Sequence, residues 1–96
     1  METAMPVLDE RVVTARMKSI PLWKLERGEL VRLCEFENFV EAMQFVNSVA
    51  EMAEGAGHHP DIDIRYNKVR LALMSHDAGG LTERDFDLAA GIDSLG

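Results

Sequence analysis

Apolar and polar positions change their period several times along the chain, and each change marks an element. From Leu8 to Ile20 the apolar residues Leu8, Val12, Ala15 and Met17 recur at near-helical spacing, and Asp9 and Glu10 put negative charge where a helix N-terminus favours it. Pro21 ends this expected helix, because the residue before a proline avoids the helical region. Leu22 to Leu25 and Glu29 to Phe36 are short extended runs broken by Arg27-Gly28, the pattern of a hairpin. The second run carries Leu30, Cys34 and Phe36 on one side and Val31, Leu33 and Glu35 on the other, so partial cover on both faces is expected.

Asn38 followed three positions later by Glu41 has the form of a capping pair. After it, Phe39, Ala42, Met43, Val46, Val49, Ala50 and Ala53 fall on one helical face, the strongest helical signal in the chain, with Gly55 or Gly57 as the stop. Ile62, Ile64 and Tyr66 then alternate with Asp61, Asp63 and Arg65, whereas the next apolar set is Val69, Leu71 and Leu73. A period of two that slips by one residue requires a turn or bulge, placed at Asn67-Lys68, and so a second hairpin. Thr82 and Asp85 repeat the capping-box form, Leu81 and Phe86 stand at the staple positions, and a last helix is expected from Glu83 to Ser94. The order helix, hairpin, helix, hairpin, helix favours an α+β fold: an antiparallel sheet with the helices packed on one face.

The chain has 96 residues, room for one core only; residues 1–7 carry little pattern and read as a loose lead-in to a single domain over 8–96. A formal net charge of −7 argues against capture of nucleic acid or anionic lipid, which needs clustered Lys and Arg. No apolar run approaches the roughly 20 residues of a membrane span. Cys34 is alone, so neither an intrachain disulfide nor a thiolate cluster is available, and a reduced cytoplasmic location is expected.

The chemistry concentrates in the C-terminal half. His58 and His59 are adjacent in a loop bracketed by Gly57 and Pro60, and His76 follows the last strand. Imidazole titrates near neutrality, so three of them brought together make a proton-transfer site; taken singly, a loop histidine is more often a hydrogen-bonded structural residue. Glu54, in the last turn of the central helix, sits where open carbonyls disfavour a carboxylate; it is either a solvated surface residue or the partner of a nearby imidazole. Asp85 is explained by its cap, and Asp77 before Ala78-Gly79-Gly80 by a turn. The adjacent histidine pair fits no zinc-ligand spacing, so no metal is expected. Gly79-Gly80 lacks the lysine of a phosphate loop.

Glu54-Gly55-Ala56-Gly57-His58-His59-Pro60, then Tyr66-Asn67-Lys68-Val69 and the run Ser75 to Asp85, resemble in type and spacing the signature of the pterin-4a-carbinolamine dehydratases. Trp23 and Phe36-Glu37-Asn38-Phe39 fit as well, and the likeness spans about residues 8–95. The resemblance implies a four-stranded antiparallel sheet with three helices on one face, assembled as a homodimer or homotetramer. It implies a hydro-lyase, a 4a-hydroxytetrahydrobiopterin dehydratase, that converts 4a-hydroxytetrahydropterin to quinonoid dihydropterin and water. The pterin is substrate, no further cofactor is needed, and a functional link to an aromatic amino acid hydroxylase follows. It assigns His58, His59 and His76 to acid/base work, Glu54 and Asp85 to their support, and Pro60, Trp23 and Ile62 to the substrate pocket. Ile62 departs from the animal members, which commonly carry Trp there, and this alters one wall of that pocket. The alternatives are a protein-interaction role, since animal members also serve as dimerisation partners of a homeodomain transcription factor, and a pterin-handling role in molybdopterin metabolism.

Overall fold

Two tight turns organise the sheet. At Arg27-Gly28 both residues have positive φ, 51° and 79°, the two-residue turn whose twist matches that of paired strands; it joins β1 (Lys24–Glu26) to β2 (Glu29–Glu35). The second turn is Tyr66-Asn67, one residue earlier than expected, between β3 (Asp61–Arg65) and β4 (Lys68–Leu73). Tyr66 holds φ 55° there, a conformation uncommon for a bulky residue. The two-residue loop pairs Ile62 with Leu71 and Ile64 with Val69, so the slip in apolar phase is what keeps both strands' apolar residues on one face.

The molecule is known here as a computed structural model that describes residues 6–95. Its sheet has the order β1-β2-β4-β3 and is antiparallel throughout, and three helices complete it: α1 (Glu10–Met17), α2 (Phe39–Ala56) and α3 (Glu83–Asp93). This is the α+β arrangement expected from the element order.

Leu30 and Cys34 of β2 and Val69, Leu71 and Leu73 of β4 form the sheet's side of the core; Ala42, Val46, Val49 and Ala53 of α2 and Phe86, Ala89 and Ile92 of α3 cover it. Phe39, the first residue of α2, and Ala50 are exposed, although both were expected on its buried face. On the opposite face of the sheet Val31 and Ala72 are paired and buried, but Leu33 is 74% exposed, so cover on that face is confined to one pair.

α1 is shorter than expected and turns a different face inward. It starts at Asp9, whose side chain accepts the N–H of Val12, and ends at Met17, three residues before the position that Pro21 would restrict. Val13 and Ile20 are buried and Met17 packs on the core, whereas Val12 and Ala15 are exposed. Of the expected lead-in, residues 1–5 lie outside the described residues; Pro6 and Val7 are exposed, and the Leu8 N–H donates to the Leu81 carbonyl at 2.8 Å.

Candidate active site

The C-terminus of α2 sets the first histidines. Gly57 adopts the left-handed conformation, φ 65°, its N–H donating to the Glu54 carbonyl at 3.2 Å while the His58 N–H donates to the Ala53 carbonyl at 3.1 Å. These two bonds close the helix and send neighbouring side chains in opposite directions. His58 goes inward and is 8% exposed; His59 goes outward, where its Nε2 lies 2.7 Å from Glu54 Oε2.

The N-terminus of α3 receives His58. Its Nε2 lies 2.6 Å from Asp85 Oδ1. Asp85 Oδ2 accepts the Ser75 hydroxyl at 2.8 Å and the Thr82 N–H at 2.9 Å, completing the capping box. Asp85 thus caps the helix with one oxygen and holds His58 with the other. Ser75, Thr82 and Asp85 are fully buried.

His76 comes from the loop after β4. Ser75 and Gly80 exchange backbone hydrogen bonds of 3.2 and 3.3 Å, closing that loop at its base, and His76, the first residue of its turn, is exposed. The three histidines line one cavity of about 260 Å³ together with Gly57, Met74, Asp77 and Arg84. A second cavity of about 380 Å³, between α2 and α3, has His58 and Arg84 in its wall too. The Arg84 guanidinium donates to Asp77 Oδ1 at 2.8 Å and holds that carboxyl below its ordinary value, and Arg84 Nε is buried without a partner among the described residues. Asp77 therefore has an ion-pair partner in addition to its place in the turn.

The pocket residues expected from the resemblance do not line this cavity. Trp23 is buried in the core, its Nε1–H donating 2.9 Å to Asp93 Oδ1. Ile62 points to the helix side of β3 and packs on the core, and Pro60 is half-buried beside His59. Met74 and Arg84 line the cavity without standing out in the sequence, although Arg84 lies inside the matching run Ser75 to Asp85.

Two other features lie apart. A depression of about 500 Å³ on the sheet, among Leu33, Asp63, Arg65, Lys68 and Arg70, brings no imidazole together. Glu29, Asp61 and His76 each place one metal-ligating atom within 4.8 Å of the other two, a set invisible in the spacing because it joins β2, β3 and the loop after β4.

The site is thus a small α+β domain's cavity lined by three imidazoles, groups that titrate near neutrality, one of them held by a buried carboxylate. Residues 6–95 match the family described as pterin 4 alpha carbinolamine dehydratase, and the chain belongs to that family. A relative from Acidobacterium capsulatum that bears the family's dehydratase name is 64% identical over 91 residues, 95% of this chain and 99% of that protein. Another from Chloroflexus aurantiacus is 57% identical over 91 residues, 95% and 98% of the two chains. A solved structure from Brucella melitensis, described as a transcriptional coactivator/pterin dehydratase, superposes with a TM-score of 0.88 at 26% identity, covering 93% of this chain and 97% of its own. A pterin dehydratase-like RuBisCO assembly factor of the alpha-carboxysome shares the fold, with a TM-score of 0.62 at 23% identity over 76% of this chain and 84% of its own.

Proposed function

We propose that the chain is a hydro-lyase that removes water from 4a-hydroxytetrahydropterin by histidine acid/base catalysis. In this reaction a proton reaches the C4a hydroxyl oxygen, the C4a–O bond breaks with its electron pair leaving on water, and the adjacent ring nitrogen loses its proton as its lone pair forms the new C=N bond. No electrons are exchanged with an outside group. Two positioned imidazoles, one giving and one taking a proton, suffice, each worth on the order of 10²–10⁴-fold.

The observation that carries this reading is the convergence of His58, His59 and His76 on one cavity. A finer assignment follows from Asp85. Its carboxylate can only accept, so the neutral His58 ring offers Nε2–H to it and retains the Nδ1 lone pair. We assign His58 as the base through Nδ1, and His59 and His76 to the delivery of the proton.

The test is the decay of freshly generated 4a-hydroxytetrahydropterin with and without the protein; decay at the spontaneous rate in both sinks the proposal. His59→Ala is expected to lose most activity while its thermal transition stays within a few degrees, since the side chain is exposed. The Brucella neighbour's description as a coactivator raises an interaction role as the alternative. A purely stoichiometric partner would be indifferent to these histidines, so the same variant separates the two.

A further inference from the structure

We propose that Ser75 is a positioning residue for the reaction, setting His58 through Asp85 and His76 through the chain; this rests on the acid/base reading of the site. The direction of each hydrogen bond in the buried cluster can be worked out. Asp85 accepts only, and the Ser75 hydroxyl has one proton, given to Asp85 Oδ2 at 2.8 Å. In the 2.8 Å contact between Ser75 Oγ and Thr82 Oγ1, Thr82 is therefore the donor. Thr82 Oγ1 in turn accepts the Arg84 N–H at 3.3 Å. The chain of donors runs one way: Arg84 N–H to Thr82, Thr82 to Ser75, Ser75 to Asp85, with His58 Nε2–H arriving at the other carboxylate oxygen.

Helix capping does not require the Ser75 hydroxyl, because Thr82 and Asp85 complete the capping box between themselves. What Ser75 adds is a second donor on Oδ2. Terminal carboxylate torsions are broad, and without Ser75 the Thr82 N–H is the remaining donor on Oδ2, so the carboxylate can swing about that contact and carry its bond to His58 with it. Two donors from different elements pin it, and pin the face that Oδ1 presents to His58. The same residue's backbone closes the loop against Gly80, and His76 is the next residue in the chain. Position 75 thus bears on two histidines, on His58 through its hydroxyl and Asp85, and on His76 through backbone bonds that do not depend on the side chain.

The test uses the full chain carrying Ser75→Ala, Ser75→Thr or Ser75→Cys. Ser75→Ala is expected to lower kcat at least tenfold with KM within twofold. Ser75→Thr, which keeps the hydroxyl, should recover most of kcat, and Ser75→Cys, which keeps the volume with a weak donor, should fall between. ¹⁵N NMR of the ligand-free protein should show His58 as the Nε2–H tautomer in wild type and a mixture of tautomers in Ser75→Ala. An unchanged tautomer and kcat in Ser75→Ala would overturn the proposal, as would losses in all three variants that follow their thermal stability alone. If Ser75→Ala fails to fold, Ser75→Cys decides, with wild-type kcat and tautomer as the overturning result. A wild-type protein inactive on the hydroxypterin, with a His58 tautomer that still follows Ser75, would refute the dehydratase reading and support the positioning geometry.

Discussion

Asp85→Asn changes one oxygen to an NH2 group and almost nothing in shape. Asp85 accepts three hydrogen bonds, from Ser75 and the Thr82 backbone on Oδ2 and from His58 on Oδ1. In the amide, the carbonyl keeps the side with two donors, and the NH2 group turns to His58 Nε2. That nitrogen must then accept, so the ring proton moves to Nδ1 and the proposed base loses its lone pair. Loss of a positioned base costs roughly 10²–10⁴-fold, equivalent to about 2.7–5.4 kcal/mol of transition-state stabilisation. The cost to folding is smaller. Hydrogen bonds to a charged acceptor contribute about 1 kcal/mol more each than neutral ones, while burying a neutral amide avoids the desolvation of a carboxylate. A net loss of about 1–2 kcal/mol lowers the Tm of a domain this size by roughly 4–16 °C. The assay is kcat/KM on the 4a-hydroxypterin beside thermal unfolding by circular dichroism. A variant within twofold of wild-type kcat/KM, whatever its Tm, would refute the assignment of the His58 tautomer to Asp85.

Phe86 is 1% exposed in the core, with the Arg16 guanidinium 5.0 Å from its ring centre, so Phe86→Ala should cost about 3–5 kcal/mol in urea unfolding; a loss under about 1 kcal/mol would show the site collapsing to fill the cavity. Burial pushes the Cys34 thiol above its ordinary value, with Asp93 acting in the same direction and Arg32 against it, so a thiol reagent at neutral pH should label the native protein far more slowly than the unfolded one; equal rates would contradict this. Arg84 holds Asp77 below its ordinary value, so the stabilisation from that pair is present above the unfolded carboxyl value of 3.8 and is lost as pH falls through the lowered native value. The stability gap between wild type and Asp77→Asn should therefore close on acidification below that value, and a gap independent of pH would remove the pair from the account.

Elements defined by a local rule were legible in the sequence. The long apolar face of α2, the Thr82–Asp85 capping box and the Arg27-Gly28 turn each rest on residues within a few positions of one another, and each stands where that rule puts it. The inward face of α1 was not legible, because the helix has only eight residues and its line of contact continues through Ile20 beyond its end. The second turn, Tyr66-Asn67, lies one residue before the position the pattern predicts, because tyrosine is a poor signal for positive φ. For the site, the histidines and Glu54 stand out by type, and the structure brings all three imidazoles to one cavity. Local spacing makes Asp85 a cap, which occupies one of its oxygens, and only the family resemblance adds a supporting role toward the histidines; the bond to His58 links positions 27 apart and leaves no trace in that spacing. Ser75 is hidden for the same reason, since a serine at a strand end implies nothing until its partner ten residues on is seen.

The central claim is that this cavity moves the two protons of the dehydration. It is tested most directly by mixing freshly made 4a-hydroxytetrahydropterin with increasing amounts of wild-type protein and following the appearance of quinonoid dihydropterin. The account predicts a rate that saturates with substrate, rises in proportion to protein and is abolished by combining His58→Ala, His59→Ala and His76→Ala. A rate equal to the spontaneous one at every protein concentration would contradict it.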